Sequence, residues 1–134
     1  MYLLDTNALI ILLFGQVTTA KLSKESMDIL ENSDDLYLSE ISLWEIAIKI
    51  KIGKIAINES LETITDKCVE NGIKMIPVGI GQFGETLRLP MVKDHSDPFD
   101  RLIICVAKLY QLSLISCDAK MKQNESQYGI TVLD

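Results

Sequence analysis

The sequence predicts an α/β layered fold built on a parallel sheet. Short apolar runs of strand length recur along the chain, and longer segments with helical spacing and helix-capping residues lie between them. No internal repeat, low-complexity tract or Pro/Gly/Ser linker interrupts this series, so residues 1–134 read as a single domain. A chain of 134 residues that is 48% hydrophobic and 24% charged buries a real core, which excludes a disordered segment.

The elements follow in order. Tyr2-Leu3-Leu4 is a short apolar run and reads as a buried strand. Asp5-Thr6-Asn7 offers capping residues for a helix over Ala8–Phe14, which Gly15 stops. Ser23 to Leu30 has spaced apolar positions and reads as a second helix, followed by a strand at Leu36-Tyr37-Leu38 that ends at Ser39. From Ile41 to Ile52 the isoleucines at 46, 48, 50 and 52 alternate like a strand. That run is long for a strand, Ser39 can cap it, and Gly53 stands where a glycine follows a helix end, so a helix is expected. Glu59 to Asn71 reads as a helix closed by Gly72, and Lys74–Val78 as a strand-like piece. A short helix over Gly81–Leu87 precedes Pro90. After the polar loop Lys93–Asp97, a helix opens on Asp97 at the N-cap with Pro98 in its first turn, and runs through Tyr110. Leu114-Ile115-Ser116 and Ile130-Thr131-Val132 complete the strands.

Residue counts narrow the chemistry. The three cysteines form no CxxC pair and lie in apolar surroundings, as free thiols do in a reducing compartment. His95 is the only histidine, which argues against a Cys/His zinc site and leaves oxygen ligands, hence Mg²⁺ or Mn²⁺. The longest apolar run, Ala8–Phe14, is too short to cross a bilayer, and the N-terminus has no basic region of a signal peptide. A cytoplasmic location without membrane association is expected.

In an open parallel sheet, ligands bind at the carboxyl ends of the strands. Asp5 and Asp118 each follow a strand there, while Glu45 and Asp100 lie early in helices that begin near that edge, with Asp97 at the mouth of the second. Each acid has a plainer role available. Asp5 and Asp97 suit helix caps, Asp118 suits the cap of a short turn from Ala119, Asp100 suits a capping box, and Glu45 can pair with Lys49 at i,i+4. Convergence is the stronger argument. Carboxylates about 4 Å apart repel by roughly 4 kcal/mol at an effective dielectric of 20, and a divalent cation relieves that repulsion. An oxygen-only cluster of this kind suits phosphodiester hydrolysis.

Four segments resemble a PIN-domain ribonuclease, specifically a VapC-type toxin of a toxin–antitoxin pair. They are Leu4-Asp5-Thr6-Asn7, Ser39 to Lys49 around Trp44-Glu45-Ile46-Ala47-Ile48-Lys49, His95 to Ile103 around Asp97-Pro98-Phe99-Asp100-Arg101, and Ser116-Cys117-Asp118. The resemblance implies a central parallel sheet of about five strands flanked by helices. It implies an acidic quartet of Asp5, Glu45, Asp100 and Asp118, with Asp5, Asp100 and Asp118 holding the metal. It assigns Thr6 and Asn7 supporting hydrogen bonds, and Asp97 the role of auxiliary ligand or cap. It further implies an RNA substrate, a homodimer and an inhibitory cognate antitoxin.

The net charge of −6 repels RNA at long range. Lys49, Lys51, Lys54, Arg101, Lys120 and Lys122 lie close in sequence to the acids and are candidate phosphate contacts, with a solvated helix face as the alternative. Two other classes compete. A phosphatase-like acidic metal site of the haloacid-dehalogenase type needs a second Asp two positions after Asp5, where the chain has Asn7. A non-catalytic α/β interaction module would use the acids as caps alone.

Overall fold

The computed structural model describes residues 1–134. Five parallel strands form one sheet: β1 (Tyr2–Leu4), β2 (Leu36–Ser39), β3 (Ile73–Ile76), β4 (Ser113–Ile115) and β5 (Val132–Leu133). Their spatial order is β3-β2-β1-β4-β5. The chain thus builds outward from β1 on one side, then returns to pair β4 with the other side of β1, Leu4 opposite Ile115.

Successive residues of a strand face opposite sides of a sheet, and the two cores divide accordingly. Leu4 and Ile115 join a core with Ala8, Leu9, Leu38, Ile46 and Ile64. Leu3 and Leu114 join the other, with Ile103, Val106, Met121 and Tyr128. The apolar pairs Leu3-Leu4 of β1 and Leu114-Ile115 of β4 are what burial on both faces requires.

The helices are α1 (Thr6–Phe14), α2 (Lys24–Asn32), α3 (Glu40–Lys51), α4 (Leu61–Glu70), α5 (Ile80–Thr86), α6 (Pro98–Tyr110), α7 (Ala119–Gln123) and α8 (Glu125–Tyr128). Short polar side chains cap most of them. Asp5, Ser23, Ser39, Ser60, Asp97 and Asp118 each accept from a backbone N–H in the following turn. α1 begins at Thr6, two residues earlier than Ala8, because Asp5 itself is the cap. The alternating isoleucines lie in a helix: Ile46 is fully buried, whereas Ile52 is exposed beyond the helix end. Gly53 follows in the left-handed region at φ +76°, which a side chain would strain.

Several other boundaries differ from expectation by a residue or two, and three differences have a structural consequence. β3 starts at Ile73 and ends before Pro77, which has no N–H for a ladder. β5 occupies Val132–Leu133 rather than Ile130–Val132. The stretch after Asp118 folds into two helices of one turn or so, α7 and α8, where only a turn was expected. No helix is long and apolar enough to cross a membrane.

Candidate metal centre

The strand order reverses at the β1/β4 pair, and the crevice beyond such a reversal is where α/β sheets bind ligands. Asp5 follows β1 there, with its N–H bonded to Ile115 O of β4 at 3.0 Å. Asp118 follows β4, and Ser116 ties the two turns by accepting from Asp118 N at 3.1 Å and hydrogen-bonding the Asp5 carboxylate.

Capping and convergence turn out to be compatible. Asp5 Oδ1 accepts from Ala8 N at 2.7 Å, and Asp118 Oδ1 accepts from Lys120 N at 2.9 Å. Each cap occupies one carboxylate oxygen. The other oxygen of Asp118 lies 3.8 Å from His95 Nε2, inside the crevice.

Two walls complete the site. On the α3 wall, the Thr6 hydroxyl donates to Glu45 Oε1 at 2.5 Å and sits 3.0 Å from Ser42 Oγ. Lys49 Nζ lies 3.4 Å from Glu45 Oε2 and donates to Asn7 Oδ1 at 3.3 Å. The i,i+4 pair anticipated for Glu45 is therefore present, but within a network that reaches the β1 turn. On the α6 wall, Asp100 Oδ2 lies 3.3 Å from His95 Nε2, and one ligating atom each from His95, Asp100 and Asp118 falls within 4.8 Å of the other two.

The electrostatics report the crowding. Burial pushes the Asp5 carboxyl up to about 6, partly offset by its Ser116 and Ala8 hydrogen bonds, with Glu45 and Asp118 adding repulsion. Burial pushes Asp100 up to about 7, and the charges of Asp97, Asp118, Glu45 and Asp5 add to it. Asp100 thus feels the charges of the other four acids. Burial also lowers the His95 pKa, which favours the neutral ring between Asp100 and Asp118, against the opposing charge of Asp118. A desolvated anionic cluster of this composition suits a hard divalent cation.

One residue departs from the sequence reading, and another resolves to the cap among its two expected roles. Arg101, expected to contact phosphate, is buried, and its guanidinium donates to Pro90 O at 3.0 Å, Thr86 O at 3.2 Å and Leu89 O at 3.0 Å. Being next to Asp100 in sequence does not bring it into the crevice, because consecutive helical residues point about 100° apart. Asp97 is the α6 cap, its Oδ1 accepting from Asp100 N at 3.0 Å. His95 and Tyr128 were not anticipated at the site. The signal available for His95 was its place five residues before Asp100, and none pointed to Tyr128.

These features define an α/β protein with an acidic crevice at its topological switch point. The family model of the PIN domain matches residues 2–126, and the chain belongs to the PIN domain family. Proteins of this family are generally nucleases that use divalent metals. Comparison with curated protein sequences gives no match. Among solved structures, the chain is similar to FitAcB from Neisseria gonorrhoeae, at 19% identity and TM-score 0.60 over 100% of this chain and 97% of that one. A toxin–antitoxin complex from Klebsiella pneumoniae matches at 20% identity and TM-score 0.64, over 100% and 97%. VapBC2 from Rickettsia felis, bound to a DNA fragment from their promoter, matches at 15% and TM-score 0.64, over 98% and 96%. At these identities the likeness is one of fold.

Proposed function

We propose that the chain is a metal-dependent endoribonuclease, the toxin of a type II toxin–antitoxin pair, acting in the cytoplasm as a single PIN-like domain over residues 1–134. The observation that carries this reading is the meeting of Asp5, Glu45, Asp100 and Asp118 at the β1/β4 switch point, where Asp100 and Asp118 both face His95, Ser116 bridges Asp5 and Asp118, and Thr6 ties Glu45 to the β1 turn. A bound Mg²⁺ or Mn²⁺ would supply Lewis-acid polarisation of the phosphate and a lowered pKa for the attacking water.

In this reading Asp5, Asp100 and Asp118 hold the cation, and the Asp118 cap leaves its second oxygen free for that purpose. Glu45 orients the water and receives its proton, with the Thr6 hydroxyl and Lys49 fixing the direction of its carboxylate. Lys49, beside Glu45 and Asn7 at the crevice, is the phosphate contact in this reading, whereas the Arg101 guanidinium is held by backbone carbonyls. In-line attack leaves a 5′-phosphate and a 3′-hydroxyl.

Partners follow from the same reading. Solved proteins of this fold include toxin–antitoxin complexes, which supports a cognate antitoxin. The homodimer is supported by α5 and its C-cap Leu87: apolar Ile80, Phe83 and Leu87 stand exposed at i, i+3 and i+7 while Gln82 and Glu85 are buried.

Cleavage of labelled RNA with Mg²⁺ or Mn²⁺, against an EDTA control and Asp5→Asn, tests the proposal. Activity should vanish in both controls, with a loss of about 10³-fold or more for the variant. Equal, metal-independent cleavage by both proteins, or products ending in 2′,3′-cyclic phosphate, would overturn it.

A further inference from the structure

We infer that His95 is a positioning residue of the acidic crevice: Tyr128 locks its ring as the Nε2–H tautomer, which donates to Asp100 and is therefore no ligand for a cation. The consequence for metal binding rests on the function proposed above, whereas the tautomer rests on hydrogen-bond geometry alone.

Tyr128 is wholly buried, and its hydroxyl has one hydrogen-bond partner, His95 Nδ1, at 2.5 Å. A buried hydroxyl hydrogen needs an acceptor, and Nδ1 accepts only when it carries no proton. The ring proton then sits on Nε2, which faces Asp100 Oδ2 at 3.3 Å and Asp118 Oδ2 at 3.8 Å. The opposite tautomer would leave the tyrosine hydrogen unpaired, whatever the protonation of the carboxyl oxygens that face Nε2. A doubly protonated ring would leave that same hydrogen unpaired. The rings also pack edge to face, with centroids 5.6 Å apart, which fixes the imidazole plane.

The trio His95, Asp100 and Asp118 thus has the spacing of a mixed nitrogen–oxygen metal site without offering the nitrogen. A cation in the crevice meets oxygen ligands. The imidazole instead holds one Asp100 oxygen, which orients the other.

The chain has a single histidine, so nitrogen-15 spectra of the ring need no assignment. The Nε2–H tautomer is expected both without metal and with saturating Mg²⁺. Tyr128→Phe removes the donor and should yield a mixture containing Nδ1–H. Finding Nδ1–H in the parent protein in either state, or no change in Tyr128→Phe, would overturn the inference. Calorimetric Mg²⁺ titration of folded variants supplies the second arm. His95→Leu should weaken binding by about tenfold or more, and His95→Gln, whose amide can still donate, by less than about threefold. Equal losses in the two variants would overturn the positioning role. Absence of Mg²⁺ binding to the parent chain would sink the metal-site reading, and the metal-free spectra would still decide the tautomer.

Discussion

On the α3 wall of the crevice Glu45 has a cation at 3.4 Å, Lys49, and a hydroxyl donor in Thr6, whereas on the α6 wall Asp100 and Asp118 share an imidazole whose pKa burial lowers. The cation adjacent in sequence, Arg101, is turned onto backbone carbonyls instead. The difference teaches where charge is missing. One wall is internally balanced, and the other carries negative charge that its own residues do not offset. A divalent ion would do most for the second wall.

The largest expected effect is on stability against pH without metal. Asp5 is held at about 6 and Asp100 at about 7, both above the ordinary 3.8. The folded chain therefore binds protons more tightly at these sites than the unfolded chain. Their stabilising contribution is complete below about pH 4 and is lost as pH rises through 6 and 7. At about 1.4 kcal/mol per pH unit, Asp5 alone accounts for roughly 3 kcal/mol. Thermal melts in EDTA should give a Tm that falls between about pH 4.5 and 7.5, and Mg²⁺ should flatten that slope. Asp100→Asn should roughly halve the slope between about pH 4 and 6 and abolish the fall between about 6 and 7. A Tm in EDTA that is equally flat in parent and variant would break the contrast between the walls.

A smaller effect sharpens it. Arg101→Met strips donors from three carbonyls on the Thr86–Pro90 segment, and should cost about 2 kcal/mol or more by denaturant unfolding. In the folded variant, KM for RNA should be unchanged. A raised KM without lost stability would return Arg101 to the substrate.

What the sequence made legible was position along the chain. Asp5 and Asp118 follow apolar strands, and Glu45 and Asp100 sit in first or second helical turns, so topology alone carries them to one edge. The parallel sheet was legible for the same reason. Direction was not. Arg101 and Asp100 are neighbours in sequence but point apart on α6, and the alternation of isoleucines in α3 imitates a strand until burial is known. His95 was read as part of a polar loop because its role depends on Tyr128, 33 residues away, in a helix too short to show periodicity.

Asp97 produces the smallest effect and the most discriminating one, because it acts on the α6 wall in two opposite ways. Its carboxylate caps α6, a contact worth about 1 kcal/mol, and its charge is the largest Coulombic influence raising Asp100. Alanine removes both, whereas asparagine keeps the cap and removes the charge. Near pH 5, Asp100 is protonated, so Asp97→Ala should lose about 1 kcal/mol and Asp97→Asn almost nothing. Near pH 8 without metal, Asp100 is ionised, and relief of repulsion should shrink the alanine loss and make Asp97→Asn more stable than the parent. Denaturant unfolding at the two pH values reads both effects. If Asp97→Asn is destabilised equally at both, the Asp97–Asp100 repulsion is not felt. If it weakens Mg²⁺ binding tenfold or more, Asp97 is a ligand as well as a cap.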